Sequence, residues 1–98
     1  MKHIARVTWV PAGQGGRSRP PDTTRYVTMA RFDEDGQSWP DGGWSVIVEF
    51  NSPPGIHDDT SMGTVSFLME NAPQERLRQG ARFALYEGLK KVAEVNLV

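Results

Sequence analysis

At 98 residues, 38% of them hydrophobic, and with a formal net charge of −1, the chain is expected to form one domain, residues 1–98, that buries about two thirds of its unfolded surface. The absence of cysteine excludes disulfides and thiolate metal sites and fits a reducing compartment. No apolar run has the length of a signal peptide or a membrane span, so a cytoplasmic protein without membrane association is expected.

Charge is segregated along the chain. Residues 1–31 carry six Lys/Arg against Asp22, residues 32–75 carry nine acids and no Lys or Arg, and residues 76–98 carry five bases against Glu87 and Glu94. Folding can interleave these segments, so the pattern reads either as solvated outer faces or as a basic patch set against an acidic one.

His3–Val10 alternates Ala5, Val7 and Trp9 with Ile4, Arg6, Thr8 and Val10, the period of a half-buried strand. Pro11 ends it by removing a ladder donor. The stretch from Pro11 to Thr24, rich in Pro and Gly, is a loop. Within it Gly15-Gly16 permits either a tight turn or a backbone anion nest, beside Arg17 and Arg19. The Arg-Pro-Pro of the same loop is a weaker signal for a proline-rich ligand.

Tyr26–Asp33 alternates again, with Tyr26, Thr28, Ala30 and Phe32 on one face. Asp33-Glu34-Asp35-Gly36-Gln37 follows as an acidic, solvated turn that lacks the further ligands of a calcium loop. After the turn at Trp39-Pro40-Asp41-Gly42-Gly43 comes the most strand-like segment, Trp44 to Phe50, with Trp44, Val46, Val48 and Phe50 facing inward. His57, Asp58 and Asp59 are the one stretch whose residue types suit metal or acid–base chemistry. No further ligand of fixed geometry recommends itself, so no catalytic residue, metal site or cofactor is expected. Gly63–Glu70 is a fourth strand, with Val65, Phe67 and Met69 inward. Asn71 to Gln79 offers a short helical turn near residues 72–79, capped by Asn71, begun at Pro73 and stopped by Gly80.

The last quarter supports two readings. Leu77, Ala81, Ala84, Leu85, Val92 and Val95 share one face of a helix over residues 76–95. Gly80 and Gly88 oppose that helix, each costing about 1 kcal/mol in its interior. As strands, Ala81, Phe83 and Leu85 alternate with Arg82, Ala84 and Tyr86, Ala93, Val95 and Leu97 with Glu94 and Asn96, and Gly88 opens a type II′ turn. Periodicity leaves the two open.

The run Gly80-Ala81-Arg82-Phe83-Ala84-Leu85-Tyr86-Glu87-Gly88-Leu89-Lys90-Lys91-Val92 resembles the closing hairpin of the C-terminal β-barrel domain of elongation factor Tu. That family has Gly-x-Arg-Phe-Ala-x-x-Glu-Gly there, followed by a basic residue and a valine. The N-terminal half is similar in the same order: a strand, a short loop, Gly15-Gly16-Arg17, a proline, then a basic and an aromatic residue opening the next strand. The resemblance covers about half of the chain. It implies an all-β fold, a six-stranded closed antiparallel β-barrel with one short helical turn, whose closure removes exposed strand edges.

Three departures bear on function. Thr24-Arg25-Tyr26-Val27 stands where the family has a Gly-Tyr-Arg-Pro box. Ala93-Glu94-Val95 stands where family glycines let transfer-RNA backbone approach. Residues 36–50 read as an insertion. No Gly-Lys-Ser/Thr phosphate loop occurs, so no nucleotide is expected to bind. The expected function is a non-catalytic binding module for a protein partner, with structured, transfer-RNA-like RNA as the alternative ligand. Arg17, Arg19, Arg25, Arg31 and Trp39 are its candidate contact residues, and Trp44 is a further aromatic candidate.

Overall fold

The computed structural model describes residues 2–55 and 59–98. Six strands form: β1 (His3–Trp9), β2 (Arg25–Arg31), β3 (Trp44–Phe50), β4 (Thr60–Phe67), β5 (Arg82–Glu87) and β6 (Lys90–Leu97). Short 3-10 turns occupy Ala12–Gln14, Asp33–Ser38 and Gln74–Arg76. Every strand pairs antiparallel to its neighbours in the order β1-β4-β3-β2-β5-β6. β6 returns to β1, with Ala5 opposite Leu97 and Trp9 opposite Ala93, so one sheet closes in a ring. The chain ends meet at this seam, where the Val98 N–H donates to the Ile4 carbonyl at 3.1 Å. Among the described residues no helix is long and apolar enough to cross a membrane.

Alternation sends one side chain in two into the ring. Ala5, Val7 and Trp9 are buried while Ile4, Arg6 and Thr8 face out. Val46, Val48 and Phe50 do the same on β3. The middle is aliphatic: Val7, Val46, Val48, Val65, Leu85, Val92 and Val95 are fully buried, each contributing on the order of 1.5–3 kcal/mol. Aromatic side chains close the two mouths. At one, Trp9 meets Tyr26 edge-on at 6.0 Å and Phe50 at 6.1 Å. At the other, Phe32 lies 4.5 Å from Phe83 and 5.8 Å from Phe67.

The choice between helix and hairpin resolves as hairpin. Glu87 pairs with Lys90 across Gly88-Leu89. Gly88 has φ +63° and Leu89 does not share its sign, the type II′ pattern. The helical spacing has a physical source in a bulge. Leu85 faces Ala93 but Tyr86 faces Lys91, which leaves Val92 as an extra residue. Val92 and Ala93 are both buried, and the Val92 carbonyl accepts the Val10 N–H at 2.9 Å. In an unbroken strand residues 92 and 95 would lie on opposite faces; the bulge puts both inside.

Two strand details differ from the sequence reading. β4 starts at Thr60 and ends at Phe67, so Ser61 joins the expected Val65 and Phe67 on its inner face. Met69 lies beyond the strand and is 54% exposed instead of facing inward. The Asp33–Ser38 turn is not wholly solvated either. The Asp35 side chain is only 6% exposed and pairs with Arg76 at 2.8 Å. Its other oxygen accepts the Phe32 N–H at 2.8 Å, and the Arg76 guanidinium sits 5.4 Å over the Phe32 ring. Asp35 thus ties the Asp33–Ser38 turn to the Gln74–Arg76 turn beneath one mouth.

Candidate binding surface on the outer face of the ring

The predicted contact residues divide between the two ends of the ring. Arg17, Arg19 and Arg25 lie at the mouth closed by Trp9, whereas Arg31 is at the opposite end of β2. Arg25 and Arg31 are six strand steps apart, about 20 Å. They do not make one patch.

Arg17 is a structural residue. Its Nη1 and the Tyr26 hydroxyl both donate to Glu87 Oε2. Its Nε donates to the Arg19 carbonyl at 3.1 Å, and the guanidinium lies 5.5 Å over the Tyr26 ring. Thr28 Oγ1 donates to the Tyr86 carbonyl alongside. Burial and the bond to Glu87 push the Tyr26 hydroxyl up to about 12. Burial alone would raise Glu87, but hydrogen bonds from Tyr26 and Arg17 outweigh it and hold the carboxyl below its ordinary value. The cluster staples the loop of residues 10–24 to the β5–β6 hairpin.

The Gly15-Gly16 pair makes a turn and not an anion nest. The Gly15 N–H donates to the Ala12 carbonyl at 3.2 Å and the Gly16 N–H to the Pro11 carbonyl at 3.1 Å, so neither points at a ligand. Gly16 is set by close approach: a Cβ there would lie 1.9 Å from the Val10 carbonyl oxygen.

Trp39 folds back against the outside of the sheet. Its Nε1 donates to the Ala30 carbonyl at 3.0 Å, and its ring lies 4.5 Å from Tyr86. The Arg31 guanidinium stacks 5.3 Å over it, which holds that charge against the surface while leaving its N–H groups available. Trp44 is half-buried and packs against the core cluster.

Cross-strand register gathers cations on the outer face that no sequence-local pattern reveals. Arg31 stands opposite Ala84, and Ala84 opposite Glu94. Asn96 is flanked by Arg82 on β5 and by Arg6 on β1. Arg6 in turn faces Met62 on β4. An oblique row of cations therefore winds around the ring from Arg31 on β2 through Arg82 on β5 to Arg6 on β1, with Met62 beyond it on β4. Arg6, Arg31 and Arg82 form no ion pair among the described residues. Lys91 is held by Glu94 at 2.6 Å, and that contact, with Arg82 nearby, keeps the Glu94 carboxyl below its ordinary value.

Next to Arg31 and Arg82 is a groove of roughly 620 Å³, lined among others by Arg31, Arg82, Ala84, Lys91 and Glu94 and walled by the turn at Gly36. Ala84 opens it, because a larger side chain between Arg31 and Arg82 would fill the space. The outside of the ring also carries exposed apolar groups: Ile4 is 58% and Met62 51% exposed.

Among the described residues no cluster of three His, Cys, Asp or Glu could hold a metal ion. His57 and Asp58 lie outside the described residues; Asp59 is exposed, and its carbonyl accepts the Trp9 N–H at 2.9 Å. No protein-family model matches the sequence, and no curated protein matches it.

Proposed function

We propose that this protein is a non-catalytic binding module for another protein, a β-barrel of the type that closes elongation factor Tu. The observation that carries the reading is the outer face shared by β4 and β1. There the exposed Ile4 and Met62 adjoin Arg6 on paired strands. Arg and Met are enriched at protein interfaces. The barrel type rests on the hairpin and loop motifs of the sequence, with which a six-stranded ring is consistent.

RNA is the second reading, favoured by the row of cations around the ring. Glu94 stands in their midst, where a phosphate backbone would meet it.

The test is affinity capture from the protein's own cell extract after nuclease treatment and a high-salt wash. A protein retained by the native chain and lost from a folded Ile4→Asp, Met62→Lys double variant is the expected result. A partner that is lost on nuclease treatment and weakens steeply with salt would replace this reading with RNA binding.

A further inference from the structure

Arg31 and Arg82 present a specific chemistry. Both are exposed guanidinium groups without an ion pair among the described residues. They border the small Ala84 from its two sides, one across the strand pair and one along β5. Such diagonal neighbours lie about 7–8 Å apart, close to the spacing of alternate side chains on an extended chain. Arg6 continues the line beyond Asn96. Arg31 and Arg82 stand on adjacent strands of the ring, whereas Met62 on β4 lies around its far side, two strands from β2 through β3.

We propose that this arginine pair and its groove are the docking site for an acidic, extended segment of the partner protein. Its alternate carboxylates would sit on Arg31 and Arg82, the two arginines that line the groove. Guanidinium groups match carboxylates as forked, two-point donors. Stacking on Trp39 holds Arg31 in place beforehand, so less freedom is lost on binding.

The partner's charge is chosen by what surrounds the cations. Glu94 already shows a carboxylate seated in the groove, held by Lys91. Asp33 and Glu94, both groove-lining, interrupt the positive field at intervals that discrete carboxylates tolerate. A continuous phosphate chain has no such gaps.

The proposal rests on the protein-binding reading and adds the chemistry of the partner's segment. The probe is a labelled peptide of sequence Ser-Glu-Ser-Glu-Ser-Glu-Leu-Leu, with its lysine counterpart and a mixed-sequence single-stranded RNA as competitors, followed by fluorescence anisotropy and amide chemical shifts. Saturable binding below about 1 mM is expected, shifting the amides of Arg82, Ala84 and Glu94. R31E and R82E, shown to be folded by circular dichroism, each weaken it at least tenfold, and E94Q tightens it. The lysine peptide does not bind. No saturable shift at these amides, or RNA displacing the peptide and binding more tightly, overturns the proposal. The two readings fail separately. A captured partner that tolerates R31E and R82E but not the Ile4 and Met62 changes overturns the acidic-segment site and leaves the binding module standing. Peptide binding at these amides with no protein captured by the native chain overturns the module reading alone.

Discussion

Glu87 shows how one carboxylate can be read two ways. In the sequence it belongs to a turn pattern; in the fold it is the acceptor that holds Arg17 and Tyr26 together. Its folded-state pKa is lowered, so its stabilising contribution is present above the ordinary carboxylate range and is lost as pH falls through the folded value. Tyr26 has the opposite sense. With its hydroxyl raised to about 12 from 10.0, its contribution is intact below the ordinary value and is lost as pH climbs toward the folded one. Two tyrosines occur in the chain, so a Tyr86→Phe background isolates Tyr26 for ultraviolet titration. Its midpoint is expected near 12. Adding Glu87→Gln lowers that midpoint, though not fully to the ordinary value, because burial remains. The same change costs about 1 kcal/mol at neutral pH, a modest figure since the pair is partly solvent-exposed, and flattens the acid limb of a denaturation profile.

At the scale of elements, the period-two signal was legible wherever a strand is regular. β1, β2 and β3 bury the faces their alternation predicts. Legibility fails where the backbone departs from regularity. The extra residue at Val92 mimics a helical repeat, and no local pattern marks it. Nor does sequence alone separate Asp35 from its acidic neighbours. Asp33 and Glu34 are exposed, while Asp35 turns inward because its partners, Phe32 N–H and Arg76, wait there. The difference is measurable. Asp35→Ala leaves Arg76 and a backbone donor unpaired beneath the mouth, and is expected to cost about 3 kcal/mol in chemical denaturation. Glu34→Ala is expected to stay within about 0.5 kcal/mol. Equal effects from the two would contradict the structural role given to Asp35. The arginines follow the same logic. A list of basic residues near one end named Arg17 and Arg31, but only register decides which are spoken for. Arg17 is consumed internally. Arg82 and Arg6, far apart in the chain, become neighbours across Asn96.

The whole molecule is held by pairings between distant parts of the chain. β1 lies between β4 and β6, so the first strand has no complete environment until the last has formed. Such topologies fold slowly, because long loops must close before the contacts that reward them exist. Among the described residues the closed ring leaves no strand of the sheet without a neighbour on either side for another chain to extend. The proposed recognition therefore falls to side chains on the outside of the ring, where Arg31, Arg82, Arg6, Ile4 and Met62 stand.

The bond from the Val98 N–H to the Ile4 carbonyl has a further meaning. Two chain ends that touch can be joined by a few residues, and the order of the strands along the polypeptide then ceases to matter to the finished ring. A circular permutant opened at Gly88-Leu89 and joined from 98 to 2 through a short Gly-Ser linker is expected to give the native circular dichroism spectrum. It should unfold in a single transition and still bind through the outer face.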